Sequence, residues 1–177
     1  ANLAIKFGME VIGYDPFLSV NAAWSLDHNV KHAETLDTLL TKSDYVTLHV
    51  PQTNDTKGMI NANTLKIMKN GVRILNLARG GLVNNADILD AIASGKVAAL
   101  VTDFAAEEFI GNPKIICLPH LGASTPEAEE NCAEMAVKEL RDFLENGNIV
   151  NSVNFPRTVT DNPIPAGGTR LCVSHKN

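Results

Sequence analysis

The stretch VRILNLARGGLVNNADILDAIASGKVAALVTD, residues 72–103, predicts the fold of this chain. It opens with a strand-like apolar run at 72–78 and closes with a second one at 97–103. Between them lies a helical segment that begins at Asn84 and stops at Gly95. Apolar strands that alternate with helices are typical of a parallel sheet covered on both faces. The connections between such strands are right-handed crossovers.

The same alternation continues on both sides of this stretch. Further strand-like runs lie at 10–15, 45–50 and 114–119. Further amphipathic segments begin at Thr35 and Asn61, residue types that commonly cap helices. We therefore predict an α/β fold with a doubly wound parallel sheet.

A long helix and a linker follow the last of these strands. Thr125 is the expected N-cap, Pro126 suits the first turn, and Gly147 ends the helix. Such a helix of about 20 residues is roughly 30 Å long, enough to cross between two domains. The segment PRTVTDNPIPAGG has linker composition, and RLCVSHKN after it shows strand-like alternation. We expect this last run to open a further domain.

Composition narrows the function classes. The 177 residues are 45% apolar and 20% charged, which is ordinary for a globular protein. A net charge of −5 argues against nucleic-acid binding, and no run approaches the roughly 20 apolar residues of a membrane span. The cysteines, Cys117, Cys132 and Cys172, have neither an even count nor metal-ligand spacing. We expect packed free thiols, no metal site and a cytoplasmic location.

Asp15 is the first candidate site residue, because it ends the strand-like run EVIGYD. In dinucleotide-binding units, an acid at the end of the second strand bonds the ribose hydroxyls, about 20 residues beyond a glycine-rich loop. An acid here without a neighbouring arginine favours NAD over NADP. The alternative is that Asp15 only begins a turn before Pro16.

Two further candidates follow later strands, where ligands bind in parallel sheets. The loop HVPQTNDTKGMIN, residues 49–61, contains Pro51 and Thr53, which predict a rigid turn beside a cofactor. His49 is interpreted as a packing histidine rather than a catalyst. Arg79 comes after the run 72–78, and the two glycines after it leave room for a ligand. Its guanidinium is suited to a carboxylate, although a salt bridge or a solvated surface position is the alternative.

The fourth candidate is a histidine with a carboxylate partner. His120 follows the strand-like run at 114–119, and Glu107 and Glu108 lie in the loop after the preceding strand. A carboxylate bonded to one imidazole nitrogen fixes the tautomer, so that the other nitrogen can exchange a proton with a substrate hydroxyl. An arginine, an acid and a histidine at one edge of a sheet favour an enzyme.

Together these residues resemble the D-isomer-specific 2-hydroxyacid dehydrogenases over residues 1 to about 155. Asp15 in YDP matches the family's ribose-binding acid, and residues 49–60 match its H-x-P-x-T-x-x-T-x-G-x-I loop. Residues 76–80 match N-x-[AS]-R-G, and PHLGAST with His120 matches the family's proline-histidine pair. The resemblance implies a Rossmann-type NAD-binding domain and hydride transfer between a 2-hydroxy acid and NAD.

The resemblance also implies roles for individual residues. Arg79 would hold the substrate carboxylate, His120 would exchange the hydroxyl proton, and Glu108 would support His120, with Glu107 as its rival. The expected cofactor contacts are Asp15, His49, Val50, Pro51, Leu77, Ala78, Asp103, Gly122 and Ala123. The family pattern A-x-D-V-F-x-x-E-P is replaced here by LVTDFAAEEF, without the proline, and the loop before residue 114 is short.

The segment after the long helix looks like that of family members with an ACT-type regulatory domain. It implies oxidation of 3-phosphoglycerate to 3-phosphohydroxypyruvate, in serine biosynthesis. The alternatives are glyoxylate/hydroxypyruvate reduction, D-lactate oxidation, or an NAD-sensing corepressor on this fold. A small-molecule substrate and a homo-oligomer, dimer or tetramer, are the expected partners.

The resemblance divides the chain into three parts. We expect an NAD-binding domain at 1–122, a crossover helix and return at 123–157, and a linker with the first regulatory strand at 158–177. The opening ANLAIKFG predicts the second half of a helix, so the glycine-rich loop and first strand would precede residue 1. The 177 residues alone are therefore expected to show no dehydrogenase activity and only feeble NAD affinity.

Overall fold

A computed structural model describes residues 1–160, 164, 167–171 and 173, without the side chain of Asn21. The chain divides into two compact units, Ala1–His120 and Leu121–Asn177. The division lies two residues before the predicted border after residue 122. The strand predicted in RLCVSHKN includes residues 172 and 174–177, so it lies outside the described residues.

The first unit is built on parallel strands. Their bounds are β1 Ile12–Gly13, β2 Lys31–His32, β3 Tyr45–Leu48, β4 Val72–Asn76, β5 Val97–Thr102 and β6 Ile115–Cys117. The last four form one sheet in the order β3-β4-β5-β6, and β1 pairs with β2 in a separate two-stranded sheet. Every pairing is parallel. The predicted α/β class with a parallel sheet is confirmed.

Short helices alternate with these strands. Their bounds are α1 Asn2–Lys6, α2 Val20–Trp24, α3 Leu36–Lys42, α4 Ala62–Ile67 and α5 Asn85–Ala93. The predicted caps of the last three are confirmed, because the side chains of Thr35, Asn61 and Asn84 each accept hydrogen bonds from backbone N–H groups of the first turn. These oxygens satisfy donors that a helix terminus leaves without intrahelical partners.

The beginning of the chain is less regular than predicted. The strand expected over residues 10–15 is limited to the two residues of β1. Helix α2, capped by Ser19, and strand β2 were not predicted, because their five and two residues are too short to show a period.

One hydrophobic core supports the four-stranded sheet. It is formed by buried side chains between Leu40 and Ile115, including Ile74 of β4, Leu100 of β5 and Ile88 of α5. Because β4 and β5 are the central strands, apolar residues from both of their faces are enclosed.

The second unit contains helix α6, Pro126–Asn146. Thr125 caps it through a hydrogen bond from the Ala128 N–H, and Gly147 ends it with a left-handed φ of 73°, as predicted. Throughout the described residues, no helix is long and apolar enough to cross a membrane.

The expectation of packed thiols is wrong for two of the three cysteines. Cys117 and Cys132 are free but exposed. Cys117 lies on β6, the edge strand of the sheet, and Cys132 lies on a helix without buried residues. Cys172 lies outside the described residues.

Candidate active site

The predicted arginine, acid and histidine lie at the carboxyl ends of three neighbouring strands. Arg79 follows β4, Asp103 follows β5 and His120 follows β6. Because parallel strands end at one edge of the sheet, the topology carries all three to the edge where ligands bind in such folds. This placement is what the sequence predicted.

The Arg79 turn is held from below by a buried amide. Asn76, the last residue of β4, is only 2% exposed, and its Nδ2 donates to the Arg79 carbonyl at 3.0 Å. Its Oδ1 accepts from the Ala78 N–H at 3.3 Å. The Arg79 side chain is exposed, and its Nη1 donates to the Ala78 carbonyl at 2.6 Å. The backbone of the turn is therefore fixed, while the guanidinium faces solvent.

A second set of contacts joins the Arg79 turn to the loop after β3. The Gly81 N–H donates to Gln52 Oε1 at 3.1 Å, and the Gly58 N–H donates to the Gly81 carbonyl at 2.8 Å. A Cβ on Gly81 would lie only 2.4 Å from the Gln52 side chain. The two loops approach too closely for any residue but glycine unless Gln52 moves. Sequence analysis missed Gln52, because only the folded chain brings it to Gly81.

Phe104 connects the Arg79 turn with His120. A Cβ on Gly80 would touch the Phe104 side chain at 3.3 Å. The Phe104 and His120 rings lie 4.8 Å apart between centroids, at an interplanar angle of 43°. This aromatic contact packs one face of the imidazole. Phe104 was also missed, since the family pattern has a smaller residue after the aspartate.

The carboxylate at His120 belongs to Asp103. Asp103 Oδ2 lies 2.7 Å from His120 Nδ1. The Asp103 side chain is 13% exposed, whereas that of His120 is 54% exposed. An imidazole whose inner nitrogen is held and whose ring reaches solvent can exchange a proton through its other nitrogen.

The predicted contact between Glu108 and His120 does not form in this structure. Glu108 Oε1 instead accepts from Asn85 Nδ2, at 2.9 Å, in the first turn of α5. Hydrogen bonds from its own backbone N–H and from Asn85 hold the pKa of the Glu108 carboxyl below its usual value. Glu107 is exposed. The two glutamates share a short 3₁₀ helix, Glu107–Phe109, which Phe109 anchors in the core.

The predicted cofactor residues differ in their surroundings. Asp15 is exposed, and its Oδ1 accepts from the Phe17 N–H at 2.9 Å, which is the turn that sequence analysis kept as the alternative. His49 is exposed rather than packed, and its Nε2 lies 3.0 Å from Thr47 Oγ1. Val50 and Ala78 pack against the core, whereas Leu77 and Pro51 are exposed.

Gly122 and Ala123 complete the predicted set. Both are exposed and belong to the second unit, in the turn that precedes α6. In the described part of the chain, no group of three His, Cys, Asp or Glu side chains could hold a metal ion.

One buried atom fits a nicotinamide cofactor. Asp103 Oδ1 is buried and has no hydrogen-bond partner within the described residues. A buried acceptor without a donor is costly, so such an atom is suited to a ligand N–H. The carboxamide of nicotinamide carries this type of donor, and Asp103 lies at the strand edge where a dinucleotide binds.

These features define a parallel α/β domain of the nucleotide-binding class. Residues 1–122 match the family model described as D-isomer specific 2-hydroxyacid dehydrogenase, NAD binding domain. The chain belongs to this family, and NAD is the cofactor of the family's domain.

The curated relatives and solved structures agree with this family. The chain is 36% identical to the D-3-phosphoglycerate dehydrogenase of Bacillus subtilis over 167 residues, 91% of this chain and 31% of that protein. It therefore spans about a third of that relative's length. A glyoxylate reductase from Paecilomyes thermophila superposes with a TM-score of 0.73 and 29% identity, over 86% of this chain and 47% of that one. Rhodotorula graminis D-mandelate dehydrogenase shares the fold, with a TM-score of 0.71 at 23% identity over 79% of this chain and 42% of that one.

Proposed function

We propose that the protein is an NAD-dependent dehydrogenase that oxidises 3-phosphoglycerate to 3-phosphohydroxypyruvate, a reaction of serine biosynthesis. The observation that carries the proposal is the placement of Arg79, Asp103 and His120 at the ends of three neighbouring strands. The choice of 3-phosphoglycerate is supported by the similarity to D-3-phosphoglycerate dehydrogenases, at 36% identity for the Bacillus subtilis protein.

In this mechanism, each side chain at the strand edge has one task. The Arg79 guanidinium holds the substrate carboxylate, because its fork matches the two carboxylate oxygens. His120 takes the proton from the C2 hydroxyl during oxidation and returns it during reduction. The fixed backbone under Arg79 and the Phe104 ring beside His120 limit the movement of both groups.

The bound nicotinamide accepts the hydride from C2, which is the chemistry that NAD supplies. We propose that Asp15, the loop 49–51, Leu77, Ala78 and Asp103 hold the cofactor. Asp15 bears a negative charge that would repel the 2′-phosphate of NADP, so NAD is favoured. The net charge of −5 and the isolated cysteines agree with a cytoplasmic enzyme, and a homo-oligomer is the assembly we propose.

A reductase of glyoxylate or hydroxypyruvate is the second candidate. It is supported by the TM-score of 0.73 with the glyoxylate reductase from Paecilomyes thermophila. The same Arg79 and His120 would serve that reaction. The two candidates differ in the substrate phosphate, which the described residues at the strand edge do not identify.

A substrate panel tests the proposal. The full-length protein should oxidise 3-phosphoglycerate with a higher kcat/KM than D-lactate or D-glycerate, and with NAD far better than with NADP. Arg79→Lys in the same assay should raise KM for 3-phosphoglycerate with little change in NAD affinity, because a lysine keeps the charge but loses the fork. Equal use of NADP would contradict the role of Asp15. Faster turnover of glyoxylate than of 3-phosphohydroxypyruvate would favour the second candidate.

A further inference from the structure

The two acidic positions near His120 are held in different ways. Glu108 lies on the 3₁₀ helix Glu107–Phe109, where Asn85 of α5 donates to its carboxylate at 2.9 Å. Phe109 is buried in the core, which fixes the orientation of this short helix. To reach His120, Glu108 would have to give up the Asn85 hydrogen bond and turn its helix.

Asp103 is already positioned for the contact. It follows β5 directly, and the next residue, Phe104, is tied back by a hydrogen bond of 3.1 Å from its N–H to Thr102 Oγ1. Thr102 is 2% exposed, so this turn rests on the core. Asp103 Oδ2 and His120 Nδ1 are 2.7 Å apart, within the range of charge-assisted hydrogen bonds.

The burial of Asp103 strengthens this contact. Its side chain is 13% exposed, and a carboxylate in such surroundings needs donors to offset its desolvation. His120 Nδ1 is the donor that the structure provides to Oδ2. The pair is therefore a means of fixing the imidazole as well as of satisfying the acid.

We propose that Asp103, rather than Glu108, is the positioning carboxylate of His120 in this protein. Resting on the proposed dehydrogenase function, this inference assigns the proton to Nδ1 in the neutral ring. Nε2 is then the nitrogen that accepts the substrate hydroxyl proton. The stacked Phe104 ring supports the same orientation from one face of the imidazole.

The tautomer of His120 provides a test that does not depend on turnover. In two-bond ¹H–¹⁵N NMR spectra, recorded at a pH where the imidazole is neutral, His120 should show a protonated Nδ1. Asp103→Ala should lose this signature and show the proton mainly on Nε2. Glu108→Gln should keep it, and Glu107→Gln is the matched control of the same charge change in an exposed position. A retained Nδ1 proton in Asp103→Ala, or its loss in Glu108→Gln, would overturn the proposal.

Two further variants guard against misfolding and a purely structural effect. Should circular dichroism show that Asp103→Ala is unfolded, Asp103→Ser, which keeps a short polar side chain, takes its place in the same NMR experiment. Asp103→Glu should restore part of the Nδ1 signature, since it returns a carboxylate. Failure of the glutamate to restore any of it, with the fold intact, would count against a carboxylate role.

Kinetics of the full-length protein separates the inference from the proposed function. Asp103→Asn should lower kcat by roughly 10²–10⁴-fold, the range of general acid–base catalysis, with a small change in KM for the hydroxy acid. Glu108→Gln should lower kcat less. A larger loss in Glu108→Gln would refute the inference. A protein that lacks activity on all hydroxy acids but shows the NMR pattern would refute the proposed function alone.

Discussion

Residues 33–120 and residues 1–32 contribute to the first unit in opposite ways. The former contain every buried apolar side chain described in the chain, from Ala33 to Ile115. Among residues 1–32, no side chain that the structure describes is buried, and Phe17 and Trp24 are 91% and 84% exposed. The strands differ accordingly, because β1 and β2 have two residues each, whereas β5 has six.

This difference separates the two halves of the candidate site. Arg79, Asp103 and His120 follow strands of the sheet that the core supports. Asp15, the predicted ribose-binding acid, follows a two-residue strand with one hydrogen-bonded neighbour strand. Residues that transfer protons need fixed positions, and a core of packed side chains provides them. We therefore expect mutations of similar size to have unequal effects in the two regions.

The largest effect is expected from truncation of a core isoleucine. Ile74→Ala in β4 should lower the free energy of unfolding by about 2–5 kcal/mol, because Ile74 is fully buried and the cavity would be enclosed. Ile12→Ala in β1 is the matched control and should cost less than about 1.5 kcal/mol, since Ile12 is only partly buried. Urea denaturation followed by circular dichroism measures both values. Equal losses would show that residues 1–32 pack more tightly than described.

A smaller effect is expected from the buried amide under Arg79. Asn76→Ala leaves the Arg79 carbonyl and the Ala78 N–H without their side-chain partner, which should cost about 1–3 kcal/mol. Because the turn carries Arg79, KM for the hydroxy acid should rise as well. Asn70→Ala, at an exposed asparagine, is the control and should change stability by about 0.5 kcal/mol or less. An unchanged KM in a destabilised Asn76→Ala protein would separate the turn from substrate binding.

The smallest effect is expected from an exposed ion pair between the strands at the beginning of the chain. Lys31 Nζ lies 3.2 Å from Glu10 Oε2, and both side chains are largely exposed. Lys31→Gln and Glu10→Gln should each change the free energy of unfolding by less than about 1 kcal/mol, because water screens such pairs. A double-mutant cycle in low and high salt gives their coupling. Coupling well above that value would mean that electrostatics replaces the core in this region.

The sequence by itself determined the elements whose signals are local. The caps Thr35, Asn61, Asn84 and Thr125 were predicted because a capping side chain bonds N–H groups only two or three residues away. The strands β3 to β6 were predicted from their apolar runs, and the strand ends placed Arg79 and His120 at one edge. The motifs also indicated the family that residues 1–122 match.

The tertiary structure alone decided which side chains meet. Asp103 and His120 are 17 residues apart, Asn85 and Glu108 are 23 apart, and Gln52 and Gly81 are 29 apart. Each pairing depends on the path of a loop and on the core residue that anchors it, as Phe109 anchors the helix of Glu108. Motif spacing pointed to Glu108 as the partner of His120, because spacing counts residues along the chain and contains no information about loop direction. The free energy of packing, summed over distant residues, selects the loop path and with it the carboxylate that faces the imidazole.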